Sequence, residues 1–132
     1  MEKILTFIVN DKKLLLLLGS DKDPQYHKSF WYVVTGACEP EDKTLEDAVR
    51  REVLEETGLS LNNVIDLKWT FEYESLGEHC VEHAFVSFAD DEQVTLNEEN
   101  IDYKWCYLDD FVKMIEWYGA KKEIEEKLTK YI

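Results

Sequence analysis

Positive charge is scarce in this chain: 15 Lys and Arg stand against 29 Asp and Glu, a formal net charge of −14 over 132 residues. Such a surface repels phosphodiester backbones and anionic lipid, which argues against long nucleic acid and membrane surfaces as partners. Two prolines and five glycines are too few for a collagen-like or low-complexity chain. Cys38, Cys80 and Cys106 are odd in number and widely spaced, so they suggest free thiols rather than a disulfide framework. No apolar run approaches a bilayer span; Leu14–Leu18 is the longest near the start. Met1–Val9 lacks the apolar centre and cleavage site of a signal peptide. The expectation is a cytoplasmic protein, one domain over residues 1–132 with one core.

What charge there is sits in two blocks. Residues 39–56 hold eight acids and three bases, and residues 90–110 eight acids and one base. Free nucleotides are repelled too, unless cations stand between.

Apolar runs Ile4–Val9 and Leu14–Leu18 flank Asn10-Asp11-Lys12-Lys13, which predicts a hairpin turning at Asn10-Asp11. Residues 19–28 are polar and contain Pro24, hence a loop. Phe30–Thr35 is aromatic and β-branched and predicts a strand ending at Gly36. Thr44 and Asp47 have capping-box spacing, and Gly58 sits where a C-cap belongs, so a helix is expected between them. Asp47 and Arg51 are spaced for an i,i+4 ion pair on its outer face. Strands follow at Val64–Tyr73, Cys80–Phe88 and Tyr103–Tyr107, and closing helices at Leu108–Tyr118 and Ala120–Tyr131. The class is α/β with a mixed sheet.

The helix after Thr44 carries the chemistry. At about 100° per residue, Leu45, Ala48, Val49 and Val53 form one apolar arc, and Glu52 and Glu56 fall inside it, with Glu55 at its edge. Acids on a helix usually mark a solvated face, but these line up with the residues that should face the protein. An unpaired buried charge costs on the order of several kcal/mol. Arg51 reaches Glu55 at i,i+4, yet no base in the helix shares the arc of Glu52 and Glu56. Three carboxylates at i, i+3, i+4 suit a hard cation such as Mg²⁺.

Arg51-Glu52-Val53-Leu54-Glu55-Glu56-Thr57-Gly58-Leu59 resembles the second half of the Nudix box, with every specified position filled. The first half departs by one residue: Ala37 and Lys43 fall where the box Gly and Glu belong. A one-residue insertion in Glu39–Lys43 makes Gly36 the box glycine and puts Asp42 in place of the Glu. Phe30-Trp31-Tyr32-Val33-Val34-Thr35-Gly36 with Glu39 is similar to the entry of the subgroup containing dihydroneopterin triphosphate and dNTP pyrophosphatases. Asn97–Trp105 resembles their Glu-His-x-x-Tyr-Lys-Trp stretch, with Asn100 replacing His, and the helix around Ile124 and Glu125 is similar to theirs.

The resemblance implies a Nudix-type α/β/α sandwich around a mixed sheet, and hydrolysis of a nucleoside triphosphate or related organic triphosphate to monophosphate and pyrophosphate, with Mg²⁺ (Mn²⁺ also fitting). By position it makes Glu52, Glu55, Glu56 and the Gly36 carbonyl metal ligands, Arg51 the residue that orients the glutamates, and Glu39 a further partner for Arg51. It places a water-activating glutamate at Glu99, with Glu98 the nearest rival, Glu55 also counting among the catalytic acids. Trp31 and Phe30 are candidates to stack on the base, and Lys28, with His27 beside it, to meet phosphate. His83 and Trp105 are expected to be structural. The partner is a small nucleotide; oligomeric state is open.

Two other readings remain. Tyr73 lies near where dinucleoside polyphosphate hydrolases carry a tyrosine. A catalytically silent Nudix fold used as a nucleotide-binding module would usually have lost box glutamates, and all three are present here. A calcium-binding domain lacks an EF-hand loop.

Overall fold

Residues 1–20 and 29–132 are described by a computed structural model. Strand β1 (Glu2–Asn10) is buried on both faces: Leu5, Phe7 and Val9 point into one apolar cluster, Ile4 and Ile8 into a second. Strand β2 (Lys13–Gly19) does the same with Leu14 and Leu16 against Leu15 and Leu17. Burial on both sides explains why these segments are unbroken apolar runs rather than alternating ones.

The remaining strands are β3 (Trp31–Tyr32), β4 (Val34–Ala37), β5 (Leu61–Ser75), β6 (Glu78–Ala89) and β7 (Asn100–Cys106). Among the described residues they form one sheet in the order β3-β2-β1-β6-β5, with β4 also on β1 and β7 on β2. The β1–β6 pair is parallel and the others are antiparallel. Helix α1 (Leu45–Thr57) covers one face through Ala48, Val49 and Val53. Helices α2 (Leu108–Met114) and α3 (Lys121–Leu128) cover the other through Phe111, Val112, Ile124 and Leu128. This is the expected α/β/α sandwich around a mixed sheet.

Several local expectations are corrected. The first hairpin turns at Asp11-Lys12, both with positive φ, because Asn10 pairs with Lys13; that is the backbone of a tight two-residue turn. The strand expected over Phe30–Thr35 is two short strands, one on β2 and one on β1. The helix expected to reach Tyr118 ends at Met114, where Ile115 turns extended and Glu116 donates its backbone N–H to the Trp31 carbonyl at 3.0 Å. That contact brings Trp117 and Tyr118 back against the sheet. The last helix stops at Leu128 and closes with a 3₁₀ turn, Thr129–Tyr131. No helix among the described residues is long and apolar enough to cross a membrane.

Candidate active site

Strand β4 delivers Gly36 to the side of α1, and the loop between them folds back on itself. Glu39 donates its backbone N–H to Asp42 Oδ2 at 2.9 Å, and Asp42 donates its own to the Glu39 carbonyl at 3.0 Å. Thr44 caps α1 by accepting from the Asp47 N–H at 3.1 Å, and Gly58 ends it in the left-handed region at φ 72°. Both caps stand as the sequence suggests.

Arg51 does not make the expected outer-face pair with Asp47; the i,i+4 pair on that face is Arg50 with Glu46, at 3.0 Å. Arg51 turns instead toward the loop. Its Nη2 donates to Asp42 Oδ2 at 2.8 Å and to the Ala37 carbonyl at 3.1 Å, and its Nη1 to Glu52 Oε1 at 2.8 Å. Glu39 and Glu55 each lie 3.5 Å from Nη1. The guanidinium holds the Asp42 carboxyl below its usual range, helped by the Glu39 N–H. Asp42, which the one-residue insertion puts in place of the box Glu, thus sits beside Arg51. A planar, five-donor group suits this hub, since it satisfies several acceptors at fixed angles.

Glu52 and Glu56 both turn away from solvent, their carboxyls largely or wholly buried. Burial pushes both carboxyls up, Glu56 to about 9, and for Glu56 the neighbouring Glu99 and Glu52 charges add to the effect. Glu56, 6% exposed, also accepts from Asn100 Nδ2 at 3.2 Å. Gly36 lies directly against this pair. A Cβ there would fall within the Glu52 carboxyl, 2.5 Å from Oε1 and 2.6 Å from Oε2, so only glycine leaves the carboxylate its place.

Glu55 is exposed and leans toward Arg51 rather than toward Glu56. Among the described residues, no three acidic, histidine or cysteine side chains form a ready-made ion cage. The donor chemistry nonetheless fits a hard cation. The inward carboxyls are all oxygen donors, burial holds both up, and added positive charge is what would ionise them.

Glu56, Glu99 and Asn100 form one end of a cavity of about 760 Å³. The Glu99 backbone is pinned there: its carbonyl accepts from the Ser20 N–H at 2.9 Å and its N–H donates to Asn97 Oδ1 at 3.0 Å. Glu98 is exposed and is not in the cavity wall. Phe30 and Tyr32 line the wall; Trp31 does not, and packs against the larger apolar cluster instead. Lys28 and His27 lie outside the described residues. His83 pairs with Glu2 at 2.9 Å, and Trp105 donates its indole N–H to the Glu92 carbonyl at 2.9 Å.

Apart from Tyr73, the far end of the cavity was not picked out from the sequence. Lys3, Phe71, Tyr73, Glu82 and Tyr118 line it. The signal lay in β6, where Val86 and Ala84 point into the larger cluster and Glu82 continues the same face two residues on. An acid ending an apolar row marks where a core face opens into something else.

The chain belongs to the Nudix family: the NUDIX domain model matches residues 2–128. Among solved structures it is similar to the MutT protein of Methanosarcina mazei Go1, at 23% identity and a TM-score of 0.79, covering 99% of this chain and 94% of that one. It is also similar to the E. coli dihydroneopterin triphosphate pyrophosphohydrolase, at 26% identity and 0.72, covering 98% and 95%. A C. elegans Ap4A hydrolase aligns at 22% identity and 0.70, covering 98% and 93%. No curated protein sequence matches it significantly.

Proposed function

We propose that this Nudix hydrolase is a divalent-metal-dependent pyrophosphohydrolase that converts a nucleoside triphosphate, or a related organic triphosphate, to the monophosphate and pyrophosphate. The observation that carries the reading is the inward-facing pair Glu52 and Glu56, of which Glu56 lines the cavity together with Glu99. Glu52, Glu55, Glu56 and the Gly36 carbonyl would hold Mg²⁺ or Mn²⁺. Such ions, when bound, neutralise the triphosphate and polarise the reacting phosphorus.

The chain's own residues do the rest. Arg51 fixes Glu52 and, through Asp42, the loop that carries Glu39. Glu99 accepts the proton of the attacking water as the new P–O bond forms. The bridging P–O bond breaks and pyrophosphate departs. Phe30 and Tyr32 offer ring faces for the organic moiety. Similarity to the dihydroneopterin triphosphate enzyme supports an organic triphosphate as substrate. The dinucleoside reading leaned on Tyr73, whose hydroxyl is engaged with Glu82 at 3.2 Å.

Incubation with Mg²⁺ and a nucleotide panel, with phosphate and pyrophosphate assayed separately, tests the reading. Pyrophosphate release from triphosphates is expected. ATP released from diadenosine tetraphosphate, without pyrophosphate from any triphosphate, would replace it with the dinucleoside reading. No cleavage at all would leave a nucleotide-binding module.

A further inference from the structure

Glu82 is a buried acid with no place in the hydrolytic steps. It is 4% exposed and lies in the sheet between two neighbours in register, Lys3 on β1 and Phe71 on β5. Tyr73 donates its hydroxyl to Oε2 at 3.2 Å, and Tyr118 reaches Oε1 at 3.5 Å. All five residues line the same cavity as Glu56 and Glu99.

A carboxylate has two oxygens and about four acceptor positions. The two tyrosines use one on each oxygen, so one remains open on each. Burial pushes the Glu82 carboxyl up, and the Lys3 ammonium and the two hydroxyl donors act against that shift by favouring the ionised form. The walls beside it are aromatic: Phe71 lies edge-on to Tyr118 at 5.6 Å, and Phe30 edge-on to Tyr32 at 6.0 Å. Flat apolar walls with one fixed double acceptor describe a receptor for a flat ring carrying two adjacent N–H donors.

We propose that Glu82 selects the ring of the substrate, pairing with the N–H and the adjacent amino group of a 2-amino-4-oxopyrimidine edge. Guanine and pterins share that edge. Adenine and cytosine set an amino donor beside a ring acceptor, and uracil sets one donor between two acceptors, so each leaves a Glu82 oxygen facing a lone pair. Hypoxanthine keeps the ring N–H but lacks the amino group. The proposal rests on the nucleotide hydrolase reading for the position of the phosphates, but the ring contact needs neither phosphate nor metal.

The experiment has two readouts. Binding of guanosine, inosine, adenosine and neopterin is measured by calorimetry, and hydrolysis of GTP, ITP and ATP is measured with Mg²⁺. The full chain and Glu82→Gln are compared, with Glu82→Met as a second variant and circular dichroism melting as the check of folding. Guanosine or neopterin should bind at least about tenfold more tightly than inosine, with the tighter of the two identifying the natural source of the ring. Glu82→Gln should erase that preference by raising the KM for GTP toward that for ITP, with kcat little changed. Triphosphate cleavage that is equal for GTP and ITP and untouched in both variants overturns the proposal and leaves the hydrolase reading standing. Preferential guanosine or neopterin binding by a chain that cleaves nothing overturns the hydrolase reading and leaves this one standing.

Discussion

Asn100 on β7 donates to Glu56 on α1 at 3.2 Å, joining the two acidic blocks of the sequence across 44 positions. The amide favours an ionised Glu56 against burial and the charges of Glu99 and Glu52. This donor stands where the resembling subgroup has a histidine.

Replacing Glu56 with Gln keeps the shape and removes the charge. Divalent-metal-dependent hydrolysis should fall by at least about a hundredfold, while the metal-free variant melts at or above the parent's temperature near neutral pH. Steady-state kinetics and a melting curve in chelator check both. Parental turnover would remove Glu56 from the ion site.

Metal-free stability should depend on pH in the direction set by Glu56. Its folded carboxyl is pushed up to about 9 from the ordinary 4.5. Between those values the unfolded chain has lost the proton that the folded chain retains, so stability falls as pH rises through this window. Asp42 acts oppositely at the acid end: its carboxyl is lowered, so its contribution is lost on acidification. Urea titrations in chelator at pH 5, 7 and 9 should show a decreasing midpoint. Millimolar Mg²⁺ should flatten the trend, as should Glu56→Gln.

Adding one methyl group at Gly36 should injure the site out of proportion to its size. The new Cβ meets the Glu52 carboxyl, and Glu52 is tethered by Arg51, so the carboxylate cannot move freely aside. Gly36→Ala should cost about 1–3 kcal/mol in a denaturant titration and lower kcat by about tenfold or more. A variant of parental stability and rate would show that the pair repacks.

Arg51→Lys retains charge and loses the fork. One ammonium cannot serve Asp42, the Ala37 carbonyl and Glu52 at the angles of the guanidinium. kcat/KM should drop by about tenfold to a hundredfold, as for groups that orient metal ligands, with a lower melting temperature. Asp42→Asn should give a weaker version of the same phenotype.

Glu99 and Glu98 are separated by one matched pair of variants. Glu99→Gln should lower kcat by about 10² to 10⁴. Glu98→Gln, altering an exposed side chain outside the cavity wall, should leave kcat unchanged. The reverse result would transfer the base to Glu98.

The sequence was legible where local rules and tertiary demands agree. The caps of α1 follow from Thr44 and Gly58, and the inward glutamates from helical periodicity. Gly36 and Asp42 could be placed once the loop was allowed one extra residue. Arg51 was misassigned to an outer-face pair because helical spacing alone does not show that a loop from β4 brings a better partner. The Lys3–Glu82–Phe71 row was missed for a related reason. Those residues become neighbours only when a parallel and an antiparallel strand pair on either side of β6, and a single sequence carries no register. Trp31 and Tyr32 are equally aromatic, and only the pleat decides which one faces the cavity.

Trp117 stacks on Tyr118 at 5.1 Å and on Tyr32 at 5.9 Å, two of the tyrosines that line the cavity. Its other ring contacts, Phe7, Trp69 and Phe71, belong to the core or its margin. The indole is therefore a built-in optical gauge one layer behind the binding wall. A ring entering the cavity should change its emission without touching it, so that occupancy is expected to show in the fluorescence of the unlabelled protein.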